Sequence, residues 1–561
     1  MANQNIRLSS LKNHQQVVDF TVEAIYEVDN QNPLGARFRH NQSGFVLDML
    51  RIQSVPQAFM WVNSHPVSDR GEPHTLEHLL LGKGTKGRYV ASLEEMSLGN
   101  SSAFTAQLRT CYHFHTPAGS SVFFDLFHTK LDAMLHPNFS DEEIRREVRN
   151  MGITNDPVDG SLSLEEKGTV YNEMVSSFER PWGNLYFELG KMIYGHDHPS
   201  AYSAGGYPTA IREMIPVHIR NFHNSTHHLN NMGAIMALPS DISLETALIR
   251  ISDILKIVEP GAKYGNVHPD DVNSLLPIPD GKNTGTLSQV TFPHMNQNEP
   301  GLLVFSWPAN RTLDSKQNIL LDLFLQTLAS GQTSNLYRRF IDSQTQIMDI
   351  GATSVFGWRS DEVGEPIFIG LNSVHRKTGD TGMMDSIRQV ILDEIQLISN
   401  YPDGSDELSE FNKRIESRIE KYRKEITDFL NSPPRFGYRG TGSSWMKHLS
   451  ELHKIGGFKR SLTFSKYFDW ASTIVKSNKN HWREMINNWK LLNDKPFGVV
   501  TLPDPEYLEQ KRDERDLRIE EYKILLMERY QTNDIHNALL NYQEDYDGNT
   551  AVIKKASQTI N

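Results

Sequence analysis

The chain has 561 residues, of which 38% are hydrophobic and 22% charged, a balance typical of a soluble globular protein with several domains. Its 57 basic and 69 acidic side chains give a net charge of −12, which argues against a nucleic-acid binder. The single cysteine excludes an internal disulfide framework, and no apolar run reaches the roughly 18 residues that a membrane span needs.

Residues 15–260 are predicted to form a first α/β or α+β domain. Short apolar runs bounded by polar turns predict strands at Phe45–Leu50 and Ala58–Val62. Thr110–His115 alternates polar and apolar residues, and Met232–Leu238 is a further apolar run, so both are strand candidates. Helix-like stretches lie between these strands, which is the order expected of a sheet packed with helices.

The compartment is left open by the sequence. The first 15 residues are polar and lack the apolar core of a signal peptide. Cys111 does not decide the matter, because proteins of oxidising compartments also exist without disulfides. Since Cys111 lies in a predicted strand, we expect a small buried residue rather than a nucleophile.

Residues 261–300 are predicted to be a linker, because prolines and glycines recur there at intervals that break helices. A second, non-catalytic domain of the same texture is predicted at 301–503. Its predicted elements are strands at Leu302–Trp307 and Gly498–Leu502 and helices at Ile319–Ala329 and Asp406–Leu430.

Residues 504–561 are predicted to be a helical connector. Glu506–Tyr530 is charged and free of glycine and proline, which suits a helix of about 37 Å at 1.5 Å per residue. Ile535–Tyr542 is a candidate for a shorter second arm, and Asp547–Asn561 is expected to be frayed. The predicted fold is therefore α+β, an α/β sandwich of two homologous domains of mixed β-sheet packed with helices, followed by a helical hairpin.

One short motif carries chemistry. His74-Thr75-Leu76-Glu77-His78 has the H-x-x-E-H pattern of the inverted zincins. On a helix, His74 and His78 project from one face and can reach a single ion, while Glu77 can accept a proton from water. Pro73 is suited to the first turn of such a helix. The alternative is a surface or core helix with two chance histidines.

A catalytic zinc ion needs a third protein ligand, and Glu173 in Tyr171-Asn172-Glu173-Met174 is the best candidate. Ser163-Leu164-Glu165-Glu166 resembles a capping box that starts a helix before it. Glu166 and Glu173 are seven residues apart, which is two helical turns. Glu166 is therefore predicted either to cap this helix or to steady a zinc histidine from behind.

These motifs together resemble the pitrilysin/insulinase family, and most closely its presequence-protease-like branch. The resemblance rests on H-x-x-E-H at 74–78, on Tyr-Asn-Glu-Met some 95 residues later, and on the glutamate seven residues upstream of Glu173. It spans about residues 20–530 and is sharp only between Gly71 and Met174. It implies a zinc endopeptidase in which two α/β domains form half of a clamshell that cuts peptides inside a closed chamber.

The resemblance also implies a substrate-binding strand. Ser102-Ala103-Phe104-Thr105, followed by Arg109-Thr110-Cys111-Tyr112, matches the edge strand that pairs with the substrate backbone in this family. Residues 101–105 (Ser101, Ser102, Ala103, Phe104 and Thr105) are therefore the predicted substrate contacts. The family usually has asparagine where this chain has Ser102, which puts one contact in doubt.

A partner half is implied by what the chain lacks. Family enzymes complete the site with an arginine and a tyrosine from the opposite half of the shell, and the corresponding stretch here, 340–346, contains neither. The chain is therefore predicted to be an N-terminal half that needs a second half, either as a separate subunit or as a further part of the protein. The expected partners are this half and peptide substrates, with no nucleic acid.

The predicted mechanism is metal-assisted peptide hydrolysis. Zn²⁺ held by His74, His78 and Glu173 would polarise the scissile carbonyl, and Glu77 would move the proton from water to the leaving amine. The rival hypothesis is a non-catalytic scaffold or peptide-binding subunit of a heteromeric complex. The presence of all four residues together favours the enzyme.

Overall fold

The computed structural model describes residues 6–29, 31–155, 160–262, 276–279, 284–431 and 442–558. Part of the predicted linker, 263–275 and 280–283, lies outside the described residues. Helices and strands are mixed along the whole described chain, so the predicted α+β class is confirmed. None of the described helices combines the length and the hydropathy that a transmembrane span requires.

Sixteen strands occur in the described residues: β1 (Gln16–Val17), β2 (Phe20–Glu27), β3 (Gly35–His40), β4 (Val46–Leu50), β5 (Gln57–Asn63), β6 (Asn100–Thr105), β7 (Arg109–His115), β8 (Asn150–Asn155), β9 (Leu162–Lys167), β10 (Met232–Ala237), β11 (Leu287–Pro293), β12 (Gly301–Ser306), β13 (Ser354–Arg359), β14 (Ile367–Val374), β15 (Lys459–Ser461) and β16 (Phe497–Asp504).

Eighteen α-helices occur in the same ranges: α1 (Glu72–Leu80), α2 (Gly84–Met96), α3 (Ser120–Leu135), α4 (Asp141–Val148), α5 (Thr169–Phe178), α6 (Pro181–Tyr194), α7 (Pro208–Ile211), α8 (Pro216–Thr226), α9 (Leu244–Val258), α10 (Ser315–Ala329), α11 (Asn335–Phe340), α12 (Thr381–Asn400), α13 (Asp406–Asn431), α14 (Gly442–Ile455), α15 (Ser465–Val475), α16 (Trp482–Asn488), α17 (Tyr507–Arg529) and α18 (Ile535–Gln558).

The first sheet has the strand order β1-β2-β3-β4-β10-β5-β7-β6, and β15 from the second half of the chain joins it beside β2. Strands β3, β4, β5 and β10 are buried along their whole length, because both faces of the sheet are covered. Leu76, Phe123 and Leu248 belong to the core on one face. Trp61 and Ile235 pack on the other face against the second half of the chain.

The second sheet has the order β11-β16-β12-β14-β13. Strand β11 runs parallel to β16 and lies inside the range 261–300, so this part of the predicted linker is a strand of the second sheet. The prediction of a continuous linker is wrong here because Pro293 stands at the end of β11, where the strand does not depend on its missing N–H.

A two-stranded ribbon, β8–β9, supports the C-terminal helical hairpin of α17 and α18. Helix α17 matches the prediction for 506–530. Helix α18 continues to Gln558, so the predicted short arm is wrong, as is the predicted fraying from Asp547 to Gln558; residues 559–561 lie outside the described residues. Leu539 and Tyr542 of α18 pack with Leu526 of α17 and Leu164 of β9, and this apolar contact stabilises the second arm.

Candidate metal centre

Helix α1 presents the two motif histidines on one face. It begins after Gly71, whose φ of 77° lies in the left-handed region, and a Cβ there would meet the backbone of Gly206 at 2.5 Å. Pro73 stands in the first turn, as predicted. The rings of His74 and His78 meet edge to face with centroids 4.7 Å apart, as residues four apart on a helix do.

Helix α5 brings Glu173 to the same point. Its Oε1 lies 3.7 Å from His74 Nε2, and its Oε2 lies 3.4 Å from His78 Nε2. One ligand atom from each of the three residues lies within 4.8 Å of the others. The structure therefore brings together all three ligands predicted from the sequence.

The outer nitrogen of each histidine ring is already engaged. His74 Nδ1 lies 3.1 Å from the carbonyl oxygen of Gly205, and His78 Nδ1 lies 3.0 Å from Glu147 Oε1. A carbonyl and a carboxylate only accept hydrogen bonds, so Nδ1 is the donor in each of these contacts and Nε2 of each ring is directed towards Glu173. Two imidazole nitrogens and one carboxylate are the donor set of a catalytic zinc site, so these residues fit the ion.

Glu77 stands beside this triad without belonging to it. Its side chain is buried and accepts a hydrogen bond of 2.6 Å from Thr105 Oγ1. Burial raises the pKa of Glu77, the Thr105 hydrogen bond opposes the rise, and the negative charge of Glu173 adds to it. A carboxyl group whose pKa is raised towards neutrality can both take up and release a proton.

Strand β6 ends at Thr105 and forms the edge of the first sheet. In the described residues it pairs only with β7, so one side of its backbone is open. The predicted substrate contacts, 101–105, all lie on this strand and are half-buried. Ser101 Oγ donates to Glu94 at 3.0 Å, so its hydroxyl is held within the protein. Cys111 lies on the inner neighbour β7 and is fully buried, which confirms its predicted burial.

Comparisons with known proteins support the fold. No family model matches the sequence. The mitochondrial presequence protease of Aspergillus fumigatus is 24% identical over 91% of this chain and 46% of its own length. Crystal structures of pitrilysin and of a peptidase M16 inactive domain from Pseudomonas fluorescens superpose with TM-scores of 0.57 and 0.58, at 14% and 11% identity.

The chain therefore resembles the pitrilysin/insulinase family, and the names of its relatives agree with the presequence-protease-like branch. It spans less than half the length of the presequence protease it matches. Each structural match covers 87% of this chain, with 98% of the inactive domain but only 47% of pitrilysin. Among solved structures, the chain thus has the fold of about half of pitrilysin.

The structure adds Glu147, which the sequence reasoning missed, to the candidate site. Besides His78, it pairs with Lys83 Nζ at 2.9 Å. Burial alone would raise the pKa of Glu147, but the hydrogen bonds from His78 and Lys83 lower it to about 2. In the sequence, Glu147 can be recognised only by its position, three residues after Ile144 and one before Val148. On a helix these three residues lie on one side, so the carboxylate lies on the buried face of α4.

Glu166 does not fill either predicted role. Ser163–Glu166 lies in strand β9, so the capping-box interpretation is wrong. The carboxylate that orients the ring of His78 belongs to Glu147. Glu166 instead pairs with Arg149 at 2.7 Å and with Arg518 at 2.8 Å. The S-x-x-E pattern is not specific to helix starts, because serine and glutamate also occur in a β-strand where the carboxylate finds partners.

An aromatic cavity of about 520 Å³ adjoins the site. It extends from Thr105 and Gly205, beside the triad, to Trp182 and Tyr186 of α6 and Trp358 of β13. Tyr186 and Trp358 contact edge to face with centroids 6.1 Å apart. Both halves of the chain thus contribute walls next to the candidate metal centre.

Proposed function

We propose that this chain is the catalytic half of a zinc-dependent endopeptidase that cuts peptides or unfolded segments inside a closed chamber. The observation that carries the proposal is the meeting of His74, His78 and Glu173, with Glu77 alongside. The resemblance to this family supports a peptidase, and the names of the relatives agree with it.

The triad would hold the zinc ion through two Nε2 atoms and one carboxylate. A zinc ion bound there would polarise a peptide carbonyl and lower the pKa of a nearby water. The chain's own residues fix the donors: Gly205 and Glu147 orient the histidine rings, and α5 carries Glu173 towards them.

Glu77 would handle the protons of the reaction. Its position next to His78 in sequence, and its place outside the ligand set, leave its carboxylate able to accept a proton from the attacking water. Its raised pKa suits the second step, in which the same proton passes to the leaving amine. The Thr105 hydroxyl holds the carboxylate at the end of β6, where the substrate is expected.

The open edge of β6 would receive the substrate as an added strand. This mode of binding uses backbone hydrogen bonds, so it favours extended peptides and recognises side chains less. The aromatic cavity next to Thr105 offers space for one apolar substrate side chain. Broad specificity for unfolded segments follows from this arrangement.

The second half of the shell would be supplied by another part of the protein or by another subunit. The chain spans 46% of its Aspergillus relative and the resemblance implies that an arginine and a tyrosine come from the opposite half. The acidic balance of the chain, −12, would favour positively charged peptides in the chamber.

The alternative is a non-catalytic scaffold or peptide-binding subunit. The similarity to a structure described as an inactive domain favours it, because the fold alone does not require catalysis. Zinc content separates the two functions, since a scaffold has no need of the metal.

The test is metal analysis of the purified chain together with Glu173→Gln. We expect about one zinc ion per chain in the wild type and weaker zinc retention in Glu173→Gln with an unchanged melting temperature, because one of three ligands loses its charge. Glu179→Gln, which changes the next carboxylate along the chain, serves as the control and is expected to keep its zinc. A well-folded wild type that takes up no zinc would favour the scaffold.

A further inference from the structure

The C-terminal hairpin contacts both segments that support the metal centre. Arg518 of α17 pairs with Glu166 at the end of β9, just before α5 begins. Arg146 of α4 stacks on the ring of Tyr546 of α18 at 4.3 Å and donates to Thr550 Oγ1 at 2.9 Å. The hairpin is therefore fixed at one point to the helix of Glu147 and at another to the approach to Glu173.

Glu166 is the centre of the contact with α17. Its side chain is 3% exposed and lies between two guanidinium groups, those of Arg149 and Arg518. It also accepts a hydrogen bond of 3.3 Å from Tyr171 Oη, which in turn accepts one of 3.2 Å from Arg212. A buried carboxylate of this kind needs its cationic partners, since removing one leaves part of its charge uncompensated.

Glu166 contacts one residue near each side of the metal centre, Arg149 and Tyr171. Arg149 directly follows α4 and lies two residues after Glu147, which orients His78. Tyr171 lies two residues before Glu173 on α5, and positions two apart on a helix point in nearly opposite directions, about 200° apart. Tyr171 thus anchors the buried back of α5 while Glu173 projects from the other side.

The junction itself is tightly built. Gly168 separates β9 from α5 with a φ of 155°, and a Cβ there would meet the carbonyl oxygen of Val148 at 2.3 Å. The end of α4 and the start of α5 are therefore in direct contact at this glycine. A displacement of Glu166 would therefore move the end of α4 and the start of α5.

We propose that Arg518 is a positioning residue for the metal centre: its ion pair with Glu166 ties the connector hairpin to the junction that holds Glu147 and Glu173 in place. This inference rests on the proposed zinc function. It makes the hairpin a part of the support of the site. The position of the connector would then affect how firmly the ligands are held.

A purely structural role for Arg518 predicts something different. Arg518 also lines a cavity of about 840 Å³ between α17 and the first domain, together with Tyr207 and Arg515. If it only fastens the hairpin, its loss lowers the melting temperature and leaves the zinc affinity of the folded protein unchanged. Zinc affinity and thermal stability must therefore be measured separately.

The test measures zinc affinity by competition with a chromophoric chelator, and the melting temperature of the metal-free protein. For Arg518→Ala we expect zinc to bind about three- to tenfold more weakly, less than the 10- to 100-fold typical of a residue that contacts a ligand directly. Arg518→Lys keeps the charge and is expected to recover most of the affinity. Arg515→Ala removes an exposed guanidinium from the same helix, which pairs with its neighbour Asp516 at 3.3 Å, and is expected to change nothing.

Two results are decisive in different ways. A wild-type chain that binds zinc, with an Arg518→Ala variant that binds it equally well, overturns the positioning role and leaves the zinc function standing. A wild-type chain that binds no zinc overturns the proposed function and this inference with it. If Arg518→Ala does not fold, Arg518→Gln carries the same comparison, because it keeps a hydrogen-bond donor near Glu166.

Discussion

The two histidines of the site are oriented by different acceptors. His74 uses the backbone carbonyl of Gly205, and His78 uses the carboxylate of Glu147. Burial lowers the pKa of His74, and the neighbouring His78 lowers it further. For His78, burial also lowers the pKa, but the Glu147 hydrogen bond and charge outweigh it and the pKa is raised. A carboxylate behind a ligand increases its basicity, so His78 is the stronger donor of the pair.

Glu77→Gln separates metal binding from proton transfer. The amide keeps the size of the side chain and can still accept from Thr105, but it cannot take a proton from water. We expect the zinc content to be unchanged and the cleavage rate of an unstructured peptide to fall by about 10²-fold or more. Rates are compared at equal micromolar enzyme concentration, so that weak cleavage by the chain is measurable.

The control for this variant is Glu72→Gln, five residues earlier on the same helix, where the carboxylate pairs with Arg70 at 2.9 Å. It is expected to cleave at close to the wild-type rate. Wild-type cleavage by Glu77→Gln would remove Glu77 from the proton-transfer step.

At the scale of residues, sequence spacing predicted the triad and Glu77 but not Glu147, which orients His78. The separation of four residues between His74 and His78 fixes their common face, whatever the rest of the fold. Glu147 escaped prediction because a carboxylate on a helix is most often solvated, and only the fold reveals that His78 lies behind it. For Glu166, the sequence favours a cap or a place behind a zinc histidine, because the competing strand has no signal beyond Leu162 and Leu164.

At the scale of elements, strand β6 shows which of its backbone groups are free for a substrate. Ala106 N–H donates to the carbonyl of Arg109 at the turn into β7. Along an antiparallel strand, every second residue bonds to the neighbouring strand, and the residues between them direct their backbone groups away from it. Phe104, two residues before Ala106, is paired with Cys111 and therefore bonds to β7 as Ala106 does. Ala103 and Thr105 therefore direct their backbone N–H and C=O groups to the open edge.

Ala103→Pro tests this edge with little damage to the sheet. Proline removes the outward N–H of residue 103 and leaves the ladder to β7 intact, a position that edge strands tolerate. Losing one backbone hydrogen bond to the substrate costs about 1 kcal/mol, so kcat/KM is expected to fall roughly fivefold at unchanged zinc content. Ala103→Ser keeps the N–H and is the matched control. Equal kcat/KM for Ala103→Pro and wild type would mean that the substrate does not pair with this edge.

The elements that the sequence predicts well are those with buried, regular patterns. Strands β4, β5, β7, β10, β12 and β16 and helices α1, α10 and α13 all lie where apolar runs or helical spacing placed them. Helix α17 is largely exposed and was predicted from its charged composition and its lack of glycine and proline. Strand β11 was missed because the surrounding prolines and glycines outweigh its short apolar pattern. The length of α18 was missed because its stability comes from packing on Leu164 and Leu526, which its own sequence does not reveal.

At the scale of the whole molecule, the two halves of the chain are joined by a buried polar network as well as by apolar packing. Asp48 of the first sheet accepts hydrogen bonds from Arg37 and from Tyr26, and Tyr26 Oη lies 3.2 Å from His453 of α14. Strand β15 adds to the first sheet directly after this helix. Such a network is satisfied only when both halves are present, so it favours one fixed arrangement of the two.

The metal centre nevertheless remains open on one side. The side chain of Glu173 is 54% exposed, and the edge of β6 has no neighbour in the described residues. Electrostatic stabilisation of a transition state is strongest where water is excluded and donors are fixed in place. The proposed second half, with the arginine and tyrosine that the family resemblance implies, would supply both the cover and the donors.

We therefore expect the isolated chain to cleave peptides weakly. Each missing donor to the developing negative charge costs about 10²-fold or more in kcat, so the purified monomer is expected to be slower by at least this factor than the assembled enzyme isolated from the cells that produce it. Light scattering gives the mass of each species, and metal analysis must show equal zinc content, so that the difference in rate comes from the partner. A monomer of this chain alone that turns over as fast as the assembly would contradict the need for a second half, because the open site would then already contain every group that the reaction requires.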